Sequence, residues 1–214
     1  MRSYTSPLTT LELTGASRLQ PLLARVHIGT FPVDALSELR VIGRPRHLVY
    51  NTAASNSRGE HWVSIWLAKD KTIEIMDSLG RAPTDPRVVD FAWRHAIKIV
   101  YSGRELQHWS SNACGLYCLS HGLARAWGES LSSWLDRFGE DTLANDHKVQ
   151  CEFMRSLATP YSFSPPPTPH RWKQLVKQAC GSVRTRARHG TLQPTHHRRR
   201  RLQQRRVSGS DGAH

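Results

Sequence analysis

With 214 residues, 38% of them hydrophobic and seven tryptophans, the chain is long enough to close a real core. No apolar run approaches the roughly 18 residues that cross a bilayer, and Met1 to Pro7 lack the charged-then-apolar pattern of a secretory leader, so the expectation is an intracellular protein, neither spanning a membrane nor secreted. The formal net charge of +13 is unevenly placed: residues 1–152 hold 17 Lys and Arg against 16 Asp and Glu, whereas residues 153–214 hold 13 against the single acid Asp211.

Residues 1–10 are polar. Leucines at 11, 13, 19, 22 and 23 predict short helices on either side of Pro21. Gly29-Thr30-Phe31-Pro32 reads as a turn, and Val33 to Leu39 as one helical segment. Arg46 to Asn51 is the first predicted core strand, followed by the loop Ala54 to Gly59.

Two further runs, His61 to Leu67 and Thr72 to Asp77, alternate or stay apolar as strands do, with the polar turn Ala68-Lys69-Asp70-Lys71 between them. A hairpin about Lys69 pairs residues whose numbers sum to about 138, and so sets His61 opposite Asp77. Directly opposed residues have Cβ atoms roughly 5 Å apart. A carboxylate there can hold an imidazole in one tautomer and stabilise its charged form. The plainer reading is an ordinary cross-strand ion pair. His47 is a competing base, but no acid faces it in that hairpin.

Ser78 to Pro83 turns the chain into a predicted helix from Asp85 to His95, capped by Thr84 or Asp85. Ile97 to Tyr101 alternates as another strand and leads into Leu106-Gln107-His108-Trp109-Ser110-Ser111-Asn112-Ala113-Cys114. From Cys114 onward, Leu116, Leu119, Leu123 and Trp127 fall at helical spacing, and Ser110, Ser111 and Asn112 are the available N-cap residues. Cys114 is therefore expected in the first turn of a buried helix, where free N–H groups and the helix dipole stabilise a thiolate. A lone cysteine on an apolar helix is more often structural. A nucleophilic one needs a base and an orienter, and His61 and Asp77 supply that pair. The Gln107 amide and the Cys114 N–H are then candidate donors to a developing oxyanion. Trp109 either lies beside the cleft or covers the core.

The Cys114 helix is expected to end near Gly128. Further helices are expected over Ser130 to Phe138 and Asn145 to Leu157. Pro165-Pro166-Pro167 and Pro169 mark the end of compact structure. Beyond a possible short helix from Trp172 to Gln178, the chain lacks a hydrophobic pattern. It reads as a disordered basic tail, with Arg198, Arg199, Arg200, Arg201, Arg205 and Arg206 as its densest positive charge. Such a segment suits nucleic-acid binding through phosphates, or nuclear import; otherwise it only solubilises. Of the four cysteines, Cys114, Cys118, Cys151 and Cys180, none is required to pair in a chain this large, and reduced thiols are expected. Cys114, Cys118 and His121 share a helical face, but a metal site would need Cys151 as fourth ligand, and none is assigned.

His61-Trp62, an acid at the end of the next strand, and Gln107-x6-Cys114-Gly115-Leu116-Tyr117-Cys118 together resemble the adenovirus protease (adenain) family, relatives of the proteases that process SUMO-like modifiers. Ile28-Gly29-Thr30-Phe31, Tyr50-Asn51-Thr52-Ala53 and Gly59-Glu60 extend the likeness, which runs from about Val26 to Arg125. The resemblance implies an α+β fold of the papain-like clan. A central, mostly antiparallel sheet would pack against the helix carrying the nucleophile. It implies His61 as base, Asp77 as orienter, Cys114 as nucleophile and Gln107 in the oxyanion hole. On this reading residues 1–160 form the protease domain, 161–183 a Pro-rich linker and 184–214 the basic tail. The implied activity is cleavage of viral structural precursors next to glycine, in the virion and host nucleus. No cofactor enters the chemistry, and DNA and a peptide are implied activators of a monomer. Two departures stand out: Asp77 occupies a position where adenovirus proteases usually carry Glu, and no cysteine lies between Asp77 and Gln107 to take a disulfide-linked activator. The alternatives are a deconjugating protease for a SUMO-like modifier and a non-catalytic nucleic-acid-binding virion protein.

Overall fold

A computed structural model describes residues 7–158. The expected linker and tail, with Arg198 to Arg206 and Cys180, lie outside the described residues. The described chain runs α1 (Thr10–Leu19), α2 (Pro21–Val26), β1 (His27–Pro32), a 3-10 turn (Val33–Ser37), β2 (Arg46–Asn51), β3 (Trp62–Leu67) and β4 (Thr72–Met76). It continues with α3 (Pro86–His95), β5 (Lys98–Tyr101), α4 (Cys114–Ala126), α5 (Leu131–Leu135) and α6 (Thr142–Ala158).

The five strands form one sheet in the order β1-β2-β3-β4-β5. The α+β class stands. The sheet, however, is evenly mixed and not mostly antiparallel: β2/β3 and β3/β4 are antiparallel, β1/β2 and β4/β5 parallel. The extra parallel strand is the segment Gly29–Pro32, expected to be a turn. Gly and Pro punctuate turns when the local sequence decides, but here pairing with β2 does, with Phe31 opposite Tyr50. Arg46–Asn51 is accordingly the second strand.

Every residue of β3 is buried, because both faces of the sheet are covered. Alternate side chains go to different layers. Val63, Ile65 and Leu67, with Leu48, Tyr50, Ile73 and Ile75, pack against Val88 and Phe91 of α3 and against Leu36. Trp62, with Val49 and Met76, packs against Tyr117, Leu119 and Trp134 of the layer built on α4. Nearly all of α4 is buried, as expected of a helix that is apolar on most of its circumference.

Helix and sheet meet very closely. A Cβ added at Gly122 would lie 2.5 Å from the His47 ring, so only glycine fits there. The α4-facing side of the sheet centre is polar. His27 Nδ1 and His47 Nδ1 are 2.9 Å apart, His47 Nε2 is 2.9 Å from Ser64 Oγ, and Ser64 Oγ is 2.8 Å from His121 Nδ1. His121 Nε2 faces Glu74 at 3.6 Å, and Glu74 is paired with Arg125 at 2.8 Å. His47 is thus committed to the interior and is no rival to His61. His121, which shares a helical face with Cys114 and Cys118, is turned to Ser64 and Glu74. Among the described residues no group of three His, Cys, Asp or Glu is placed to hold a metal.

Candidate active site

The site lies where β3 begins, β4 ends and α4 begins. The hairpin is in the register Ile65 opposite Ile75, a sum of 140 and not 138. A slip of two residues preserves the face on which each side chain points. His61 and Asp77 therefore stay on one side but become diagonal neighbours, still within reach of each other. His61 precedes β3, anchored by Thr52 N–H donating to its carbonyl at 2.9 Å. Its Nε2 is 2.7 Å from Asp77 Oδ1, with both side chains nearly buried. Cys114 also acts on this ring, favouring its charged form. Burial disfavours the charged ring. The bonds to Asp77 and Cys114, and the charges of both, outweigh that and raise the His61 pKa to about 9.

Asp77 is fixed from three directions. Leu79 N–H donates to its Oδ1 at 2.8 Å, Ser102 Oγ donates to its carbonyl at 3.0 Å, and its own N–H reaches Ser102 Oγ at 3.3 Å. Ser102 carries no signal in the sequence. Neither does Ser78, which ties the acid to the oxyanion candidate. Its carbonyl accepts from Leu106 N and Gln107 N, and its hydroxyl donates to Gln107 Oε1 at 2.7 Å. Gln107 is itself buried, and its Nε2 donates to Ser111 O at 2.8 Å, leaving a second amide hydrogen for another acceptor.

The turn that carries Asp77 and Ser78 closes with Gly80 N–H donating to Asp77 O. Gly80 has φ +70, and a Cβ there would stand 2.7 Å from the backbone of Arg104 and Glu105. Gly80→Ala is expected to cost about 2 kcal/mol or more in stability, from the left-handed conformation and the backbone clash. It should also displace Asp77 relative to His61. Thermal unfolding reads the first effect and the rate of Cys114 alkylation the second; an unchanged melting temperature would contradict this account of the turn.

Cys114 is the first helical residue of α4 and is buried. The cap differs from expectation. Ala113 occupies the N-cap position with no side-chain cap of its own, and the Ser111 hydroxyl accepts from the Ala113 N–H at 3.4 Å. Ser111 is also used elsewhere: its carbonyl holds Gln107, and its side chain bonds to Asp146 of α6. Asp146 also accepts from Tyr117 Oη at 3.0 Å and from His108 N at 3.3 Å, so it staples the loop between Gln107 and Cys114. The leading N–H groups and the positive end of a helix dipole favour an anion at this position of the sulfur. Cys118, one turn on, is fully buried, and burial first, then the charges of Cys114 and Asp77, push its thiol well above the usual range.

Cys114, His61, Asp77 and Gln107 all line one open cleft of about 1110 Å³. Trp109 stands at its rim, 80% exposed, and so belongs to the cleft and not to the core. A further wall, unforeseen in the sequence, is the N-terminal segment Pro7–Thr10.

No family model matches the chain, and no curated protein does. Among solved structures it aligns with the ASFV pS273R protease at 17% identity and a TM-score of 0.53, over 74% of this chain and 69% of that one. The two share a mixed α+β fold. The SUMO protease Ulp1, with its catalytic cysteine oxidized to a sulfenic acid, aligns more loosely, at 16% identity and a TM-score of 0.30 over 52% of this chain and 54% of that one.

Proposed function

We propose that this chain is a cysteine endopeptidase related to adenain, acting on viral structural precursors next to glycine during virion maturation. The observation that carries the reading is the imidazole of His61, 2.7 Å from Asp77 Oδ1 and lining one open cleft together with Cys114. In the reaction, His61 holds the proton of Cys114 and the thiolate attacks a peptide carbonyl. The Cys114 N–H and the second Gln107 amide hydrogen stabilise the oxyanion. His61 then protonates the leaving amine, the C–N bond breaks, and water activated by the neutral ring hydrolyses the thioester. Asp77 keeps the ring oriented throughout.

The substrate class rests on the adenain resemblance, with the fold shared by a protease of ASFV in support. Stimulation by DNA through the basic tail, a peptide activator, action as a monomer, and a place in the virion and host nucleus belong to the same proposal. The test is alkylation of Cys114 by iodoacetamide across pH 5–9 in the intact protein, its Cys114→Ala and its tail-deleted form, with and without DNA. A parallel assay offers two substrates, a glycine-containing precursor peptide and a SUMO-like modifier fused after Gly-Gly. Rapid labelling at low pH with precursor cleavage supports the proposal, and faster cleavage with DNA that needs the tail supports its cofactor. Cleavage of the fusion alone would replace the substrate by a modifier conjugate, and labelling no faster than an ordinary thiol would overturn the enzyme reading.

A further inference from the structure

The segment Pro7–Thr10 touches the residues that follow both proposed reacting groups. Trp62, next after His61, donates its indole Nε1–H to the Leu8 carbonyl at 2.8 Å. Gly115, next after Cys114, lies under the Leu8 side chain. A Cβ added there would be 3.2 Å from Leu8 Cδ1, 3.3 Å from Leu8 Cβ and 3.0 Å from Leu13 Cδ2. Leu8 therefore sits on the first turn of α4 with no room beneath it. Leu8 and Leu13 also join the apolar cluster that contains Cys114, Trp62 and Tyr117.

The segment is pinned at its other end by the start of α1. Thr9 caps that helix, and Glu12 reaches back to the Thr9 N–H at 2.8 Å and to its hydroxyl at 2.9 Å, a complete capping box. Leu8 is thus held between a rigid helix start and the indole of β3. One part of the side chain is packed on Gly115 and the rest faces the same cleft as Cys114 and His61. A fixed aliphatic side chain beside the nucleophile limits the width available to whatever lies across the sulfur.

We infer that Leu8 is a specificity-determining residue, a wall of the cleft that excludes bulky side chains on the substrate residues flanking the scissile bond. The inference rests on the protease reading, and it adds a determinant drawn from outside the stretch that resembles adenain. Because the wall is fastened to Trp62 and Gly115, its distance from His61 and Cys114 is set by the same contacts that build the site. Loosening either fastening widens the cleft without touching a reacting group.

The test uses the full chain. Two series of peptides vary the side chain from glycine to alanine to valine, one series on each side of the scissile bond. kcat and KM are measured for the parent, Leu8→Ala and Trp62→Phe, the last of which keeps the ring but loses the donor to Leu8. Differences of one or two methyl groups in a confining pocket are worth about 10- to 200-fold in discrimination. In one series, Leu8→Ala is therefore expected to raise the kcat/KM of the valine peptide relative to the glycine peptide by about 10-fold or more. Trp62→Phe should move the same ratio in the same direction by less. Leu8→Ile, of equal volume, should restore the parent's preference. A ratio unchanged in both series, or an equal fall for every peptide, overturns the inference while leaving the protease reading intact. Fluorescence titration of the same peptides against Cys114→Ala protein, with and without Leu8→Ala, reads the wall without turnover. If the parent cleaves no peptide and Cys114 alkylates as an ordinary thiol, the protease reading fails; an unchanged size preference in the titration then removes the wall as well.

Discussion

His61→Ala is expected to lower kcat/KM for a cleavable peptide by roughly 10³-fold, within the range that a positioned acid–base group contributes. Burial alone would keep this ring neutral and useless as a proton donor. Its bonds to Asp77 and Cys114 reverse that and lift its pKa to about 9. The ring should therefore be charged beside the sulfur at neutral pH, ready to protonate a leaving amine. The parent's activity should persist toward alkaline pH and fall as pH rises through about 9, where His61 gives up its proton. Asp77→Asn removes the charge on the far side of the ring and should move that alkaline limb to lower pH. Profiles of kcat/KM against pH for the three proteins decide the matter. A His61→Ala profile that follows the parent's would remove His61 from the reaction.

Acid should unfold this protein unusually steeply. His27, His47 and His121 are held neutral in the fold. Burial, then the charge of Arg18, brings His27 down to about 4. Burial, then the charges of His27 and His121, keeps His47 well below its ordinary value against a weaker opposing bond from the Cys118 backbone. Burial also lowers His121, with Arg125 adding to it and the bond and charge of Glu74 opposing. The surrounding geometry explains why they must remain neutral. His121 directs Nε2 at Glu74, so its Nδ1 accepts from Ser64, Ser64 accepts from His47, and His47 accepts from His27. An added proton on His47 Nδ1 or His121 Nδ1 would remove an acceptor from that chain, and one on His27 Nε2 would place a charge on a buried nitrogen with no hydrogen-bond partner.

In the unfolded chain these histidines titrate near 6.5. Below that pH the unfolded state binds protons that the folded state refuses. Stability must then fall with decreasing pH, by up to about 1.4 kcal/mol per pH unit for each histidine that stays neutral. With three of them acting together, a total stability of about 5–15 kcal/mol is consumed within a few pH units. His61 works in the opposite sense. Its contribution is complete below about 6.5 and is lost as pH rises toward 9. The melting temperature should therefore peak near pH 6.5, with an acid limb steeper than the alkaline one. Calorimetry from pH 4 to 9 under reducing conditions measures both limbs. A melting temperature that is flat from pH 6.5 to 5 would mean that the buried histidines are already charged.

The candidate site residues were legible because each stands out in one dimension. Cys114 opens a helical apolar pattern, His61 and Asp77 bound two strand patterns joined by a polar turn, and Gln107 gains meaning only from the other three. Local periodicity likewise identified α3, α4, α6 and the strands β2 to β5, since side-chain alternation is written in neighbouring residues. It could set the hairpin only to within two residues, because a slip of two leaves the alternation unchanged. Only the tertiary structure decided the rest. Gly29–Pro32 is a strand because a parallel partner lies across from it, and parallel pairing joins segments distant in sequence. Ala113 and not Ser111 is the N-cap of α4, with Ser111 fixed two residues ahead of it by Gln107 and by Asp146 of α6. Ser78, Ser102 and Leu8 are ordinary residues in the sequence. They matter because folding sets them against Gln107, Asp77 and Gly115, and no short-range pattern records a contact made across the chain.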